Sequence, residues 1–76
     1  MNRPALTPAQ IIERARARLL EANCAARLDM LHDTAIGAIN TLEDLRLIDL
    51  DCWRALLDEF EALADSRRPL LEGGAQ

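Results

Sequence analysis

The sequence predicts an all-α protein, either a small three-helix bundle or a hairpin built on one long helix. Half of the residues are apolar, but the chain has only one Trp and one Phe, so its core must consist mainly of Leu, Ile and Ala. The three prolines, Pro4, Pro8 and Pro69, all lie near the ends, which leaves the middle of the chain free of helix breakers. Residues with β-branched side chains are few, and strands are therefore disfavoured.

The first helix is predicted over residues 8–22 because its start signals are complete. Thr7 is suited to the N-cap, Pro8 to the first helical position and Gln10 to the partner position of a capping box. At about 100° per residue, five apolar side chains fall in one narrow sector. We call this set the first-helix stripe: Ile12, Ala15, Leu19, Ala22 and Ala26. Its small side chains would allow another helix to approach closely.

A second apolar stripe begins before the first one ends, and it runs on the opposite side of the helix. Its members are Leu20, Cys24, Leu28, Leu31, Ala35, Ala38, Ile39, Leu42 and Leu45. Two arrangements fit this pattern. A break near Asn23, a residue that tolerates the left-handed conformation, would give a first helix and a second one over residues 24–46. Alternatively, the first two helices are continuous, and the first-helix stripe meets a second copy in a dimer.

The last helix is predicted over residues 50–65 and packs antiparallel to the helix before it. Asp49 is suited to the N-cap, and Ile48 can pack against Trp53 as a hydrophobic staple. The apolar face has regular helical spacing: Leu50, Trp53, Leu56, Leu57, Phe60, Leu63 and Ala64. Pro69 is expected to stop the helix. Because the connection before Asp49 is short, the two helices must form a hairpin.

The cysteine and histidine content predicts no metal site and no cofactor. Cys24 and Cys52 lie far apart without a C-x-x-C pair, and His32 is the single histidine, whereas structural zinc needs about four such ligands. We expect both cysteines to be small, at least half-buried apolar residues and His32 to be solvated or capping. The N-terminus does not resemble a signal peptide, and no apolar run approaches the roughly 20 residues of a membrane span. A cytoplasmic protein is therefore predicted.

Charge is distributed unevenly along the chain. The net charge is −4, yet residues 1–32 contain five Arg and three acids, and residues 33–76 contain four Arg and ten acids. An acidic protein lacks the basic surface that general nucleic-acid binding requires, so direct binding of DNA or RNA is disfavoured. All nine basic residues are Arg and none is Lys, which is typical of a GC-rich, bacterial genome. Arg14, Arg16 and Arg18 flank the first-helix stripe and are expected to be solvated.

Two functional hypotheses follow for this single domain of residues 1–76, whose ends, 1–6 and 69–76, are expected to be flexible. We expect no catalytic residue, because a helical domain this small has little room for a pocket that excludes water. The favoured hypothesis is a protein-interaction or assembly module that uses the first-helix stripe to bind a protein partner or a second copy. The alternative is an inhibitor of the phage or mobile-element type that mimics nucleic acid. It would use an acidic face made of Glu43, Asp44, Asp51, Asp58, Glu59 and Glu61.

Overall fold

The computed structural model describes residues 5–73, and these form three α-helices without any strand in that range. The helices are α1 (Pro8–Glu21), α2 (Ala25–Asp44) and α3 (Leu50–Gly73). The predicted all-α class and the three-helix arrangement are thus confirmed. Residues 1–4 and 74–76, which belong to the ends expected to be flexible, lie outside the described residues.

The start of α1 follows the local signals in the sequence. The Thr7 hydroxyl accepts a hydrogen bond from the Gln10 amide nitrogen at 3.2 Å, and the Gln10 side chain accepts one from the Thr7 amide nitrogen at 2.9 Å. Pro8 occupies the first helical position, where its missing N–H leaves no hydrogen bond unmade. The predicted capping box is confirmed.

The chain leaves the helical conformation between α1 and α2, so the two helices are separate. Ala22 (φ −58°, ψ 132°) and Cys24 (φ −155°, ψ 161°) both have extended backbone. The break lies where the opposed stripes predict it, but the expected left-handed residue at Asn23 does not occur. Arg67 of α3 donates a hydrogen bond to the Ala22 carbonyl at 2.7 Å. A side chain from a distant helix therefore caps the end of α1.

The turn between α2 and α3 does contain a left-handed residue. Arg46 has φ 60°, and it is the one non-glycine residue with positive φ in the described range. The Leu47 amide donates to the Leu42 carbonyl and the Arg46 amide to the Glu43 carbonyl, both at 2.9 Å. This pair of bonds is a Schellman motif, which normally has glycine at the left-handed position. The Asp49 carboxylate then accepts from the Cys52 amide at 2.8 Å, which confirms Asp49 as the N-cap of α3.

Helix α3 is longer than the sequence predicts. It continues through Pro69 to Gly73, so the expectation that the helix ends near residue 65 and is stopped by Pro69 is wrong. A proline inside a helix removes one backbone hydrogen bond and crowds the preceding turn. Leu71, which packs against the core, offsets this cost by burying apolar surface.

The core lies where all three helices meet. Four residues of the core are fully buried: Phe60, Leu19, Leu28 and Ile39. Trp53 is half-buried against the core, and its indole N–H donates to the Asn40 side chain at 2.7 Å.

Two surface ion-pair clusters join the helices. Arg16 of α1 contacts Glu59 of α3 at 2.5 and 2.9 Å, and Arg68 of α3 contacts Asp29 of α2 at 2.6 Å. The resulting molecule is flat, with extents of 46 × 34 × 14 Å.

Candidate docking groove

An open groove runs between α1 and α2. Its wide part has a volume of about 490 Å³ and lies beside the α1–α2 connection, and its narrow part, about 80 Å³, lies further along the two helices. The two parts share Arg18, Leu31 and Thr34. Within the described residues, every side chain that lines either part comes from α1, α2 or their connection, so α3 leaves this side of the α1–α2 pair uncovered.

The floor of the narrow part of this α1–α2 groove consists of small and aliphatic side chains at helical spacing, whereas the wide part is lined mainly by polar and charged residues. The floor residues are Ile11 and Ala15 of α1 with Leu31, Ala35 and Ala38 of α2. Leu31 and Ala35 also belong to the buried core, and the other three are half-buried. Because these residues recur every three or four positions, each helix presents a continuous apolar edge to the groove.

Three arginines form the rim of the groove. Arg14 and Arg18 lie one helical turn apart on α1, Arg27 lies on α2, and all three are exposed. Within the described part of the chain, none of them forms an ion pair, although Arg16 and Arg68 each contact two carboxylates. A single carboxylate, that of Glu21, lines the wide part. The rim therefore carries positive charge on a protein whose net charge is −4.

The first-helix stripe does not form an exposed surface. Leu19 and Ala22 are buried, Ile12 and Ala15 pack against the core, and Ala26 alone is exposed. The physical reason is the turn after Glu21, which folds α1 back so that this stripe faces α2 and α3 of the same chain. In the folded monomer Ile12 and Leu19 face the core, whereas Ala15 and Ala22 contribute to the lining of the groove.

The carboxylates of the hypothetical acidic face come from two helices, as their positions in the sequence imply. Glu43 and Asp44 are at the end of α2, whereas Asp51, Asp58, Glu59 and Glu61 are on α3. Glu59 is engaged by Arg16, whose hydrogen bonds and charge lower the pKa of the Glu59 carboxyl against the opposing effect of partial burial. One member of the set thus serves to join α1 to α3.

Groups that could support metal or thiol chemistry are dispersed. The described residues contain no cluster of three His, Cys, Asp or Glu side chains that could hold a metal ion. Cys24 and Cys52 are both free and exposed, so the expected burial of these residues is wrong. Both lie at helix starts, where the bundle ends. His32 is half-buried, and its Nε2 atom is buried without a hydrogen-bond partner, whereas the sequence suggested a solvated side chain.

Several large apolar side chains are exposed at the ends of the bundle. Leu45, Leu47 and Leu50 surround the α2–α3 turn with 54–63% of their surface accessible. Leu45 and Leu50 were expected on the apolar faces of their helices, but both are exposed. Among the described residues, no helix is long and apolar enough to cross a membrane.

The rim arginines of α1 are visible in the sequence, but the groove is not. Arg14 and Arg18 at positions i and i+4 are a visible signal, yet they acquire meaning only when Arg27 and the apolar floor of α2 are placed opposite them. Comparison with protein-family models, with curated proteins and with solved structures finds no match. The chemistry of the groove is therefore the principal guide to function.

Proposed function

We propose that this protein is a non-catalytic interaction module that binds a helical segment of a partner protein in the α1–α2 groove. The observation that carries the proposal is the groove that α3 leaves open, with the apolar floor of its narrow part. A helix that lays its apolar face into such a groove is a recurring mode of peptide recognition. The free energy of binding would come from burial of apolar surface on both sides.

The lining of the groove fits a helical partner in two ways. Three residues of the floor have the short side chain of alanine: Ala15, Ala35 and Ala38. The backbone of a partner helix can therefore come close to the floor. Met30, which lines the wide part with 49% of its surface exposed, is a flexible side chain of the kind used at adaptable binding surfaces. Partner side chains of different shapes could thus be accommodated.

The compartment and the alternative function also remain proposals. Free, exposed thiols on Cys24 and Cys52 are compatible with a reducing compartment such as the cytoplasm. The acidic nucleic-acid mimic is less well supported, because Glu59, a member of its acidic face, is committed to Arg16. For that reason we favour the groove over the acidic face as the functional surface.

An unbiased peptide selection tests the proposal. A displayed library of random helical peptides would be selected on the wild-type protein and then assayed against Thr34→Trp, which places a bulky ring in the middle of the groove. Thr41→Trp is the matched control, because both threonines are exposed on α2 and each donates a hydrogen bond to the carbonyl four residues earlier, at 3.0 Å.

We expect the selected peptides to bind T34W at least about tenfold more weakly than wild type, a difference of about 1.4 kcal/mol, and to bind T41W unchanged. Fluorescence anisotropy with labelled peptides measures both dissociation constants. Peptides that bind all three proteins equally, or a selection that enriches none, would contradict the proposal.

A further inference from the structure

We infer that the segment bound in the α1–α2 groove is an acidic amphipathic helix, with an apolar face flanked by carboxylates on both sides. This inference rests on the proposed function and names the chemical class of its partner. The apolar floor would contact the apolar face of the bound helix. The arginines of the rim would pair with the carboxylates that flank that face.

The position of three unpaired arginines around the groove provides the main support. Among the described residues Arg16 and Arg68 each contact two carboxylates, whereas the rim arginines, like Arg46, Arg54 and Arg67, have none within ion-pair distance. The rim arginines differ from those other unpaired arginines because all three line the α1–α2 groove. A partner that brings its own carboxylates would complete these pairs, and partly desolvated pairs of this kind favour specificity and rapid association.

The spacing of the rim matches a helix. Arg14 and Arg18 are four residues apart, so their Cα atoms are separated by about 6 Å along α1. Carboxylates at positions i and i+4 of a bound helix have the same separation. Arg27 stands on the opposite rim, on α2, and would meet an acid on the other flank of that helix. Arginine can also bind a carboxylate through two parallel hydrogen bonds, which fixes orientation.

Other anionic occupants fit less well. A nucleic acid would find an apolar floor, the Glu21 carboxylate and a protein of net charge −4. In a second copy of this chain, the exposed carboxylates Asp51 and Asp58 of α3 are separated by the small residue Ala55. That face could pair with the rim but would bury little apolar surface in the groove. A separate acidic helix with large apolar residues satisfies both the rim and the floor.

Two synthetic peptides and two charge-reversed proteins test the inference. Both peptides form amphipathic helices with the same apolar face of leucines. The positions that flank this face are all Glu in the Glu peptide and all Lys in the Lys peptide. The variant R14E/R18E reverses the rim of α1. R46E/R54E is the matched control, because it changes the net charge equally at two exposed arginines that lie outside the groove and form no ion pair in the described part of the chain. Circular dichroism establishes that both variants are folded.

We expect the Glu peptide to bind wild type and R46E/R54E with similar affinity and to bind R14E/R18E at least about tenfold more weakly. The Lys peptide should show the reverse preference, binding R14E/R18E better than wild type. Added salt should weaken binding of the Glu peptide to wild type.

Three results would overturn the inference. The first is equal affinity of wild type for the Glu and Lys peptides. The second is a single-stranded DNA oligonucleotide that competes with the Glu peptide at equal concentration. The third is a dimer of the wild-type protein that R14E/R18E dissociates, which would make a second copy the occupant. If the Lys peptide binds wild type and T34W abolishes that binding, the groove remains a docking site and only the acidic partner is wrong.

Discussion

Arg46 shows how a single residue can hold a conformation that its side chain disfavours. Its φ of 60° belongs to the left-handed region, which costs a non-glycine residue roughly 1–2 kcal/mol. The Schellman hydrogen bonds at the end of α2 require this conformation. We expect Arg46→Gly to raise the free energy of unfolding by about 0.5–1 kcal/mol, since glycine removes the steric cost but loses more backbone entropy on folding. Urea denaturation followed by circular dichroism measures the change.

Arg46→Ala separates the backbone effect from the loss of charge. Alanine keeps the Cβ atom, so it retains the left-handed strain, and no comparable gain is expected. Equal stabilisation by glycine and alanine would show that the charge of Arg46, rather than its backbone, limits stability.

Local signals predicted the caps but misplaced the left-handed residue. Thr7 with Gln10, and Asp49 with the Cys52 amide, are interactions across three residues, and the sequence displays both partners. Asn23 was a reasonable candidate for a left-handed helix end, whereas the structure has that conformation at Arg46. The geometry of each turn depends on where the next helix must pack, and residue type alone does not contain that information.

Helix α3 extends beyond Pro69 because the segment after this proline packs against the core. Leu71 is half-buried against the core, and its neighbour Leu70 is 70% exposed. We therefore expect Leu71→Ala to lower the free energy of unfolding by about 1–2 kcal/mol, below the range for a fully buried leucine. Leu70→Ala removes the same atoms in the same turn and should change stability by less than about 0.5 kcal/mol. Thermal or urea denaturation measures both effects.

If Leu71→Ala and Leu70→Ala change the free energy of unfolding by similar amounts, the end of α3 does not pack against the core. The sequence could not predict this extension, because the local rule for proline correctly signals a penalty. Whether the penalty ends the helix depends on tertiary contacts further along the chain, here those of Leu71.

At the scale of the molecule, the ion pair between Arg16 and Glu59 makes the docking of α1 onto α3 depend on pH. Arg16 lowers the pKa of the Glu59 carboxyl below its ordinary value of 4.5. The pair thus stabilises the folded state fully above that value, and the stabilisation is lost as the pH falls through the lowered pKa. Because the Glu59 side chain is 41% exposed, solvent screening keeps the contribution small. Glu59→Gln should lower the free energy of unfolding at pH 7 by about 0.5 kcal/mol.

The difference in the free energy of unfolding between E59Q and wild type should shrink as the pH is lowered. It should disappear once Glu59 is protonated in the folded protein. Urea denaturation at a series of pH values tests this. Glu61→Gln is the control, since it removes the same charge from the same helix at a residue without an ion pair in the described range. A pH-dependent loss of the same size in E61Q would assign the effect to net charge instead of the Arg16 contact.

The all-α class was predictable and the three-helix arrangement was one of two that the sequence allowed, but the groove between two of the helices was not predictable. The two opposed stripes identified which side chains had to be buried, and the turn at Ala22–Cys24 is one of the two arrangements that they allowed. The rotation of α1 about its axis determines which edge of the stripe meets the core and which edge lines the groove. Arg16 and Arg18 belong to the same turn, yet one contacts Glu59 and the other stands at the groove. Only the packed structure distinguishes them.

The exposed Cys24 makes the molecule convenient for spectroscopy. It follows Asn23, which lines the wide part of the groove, whereas Cys52, the other thiol, lies in the first turn of α3. Replacing Cys52 with serine would leave one native attachment point for an environment-sensitive fluorophore beside the groove. Occupancy could then be followed in solution without adding a foreign cysteine to either helix.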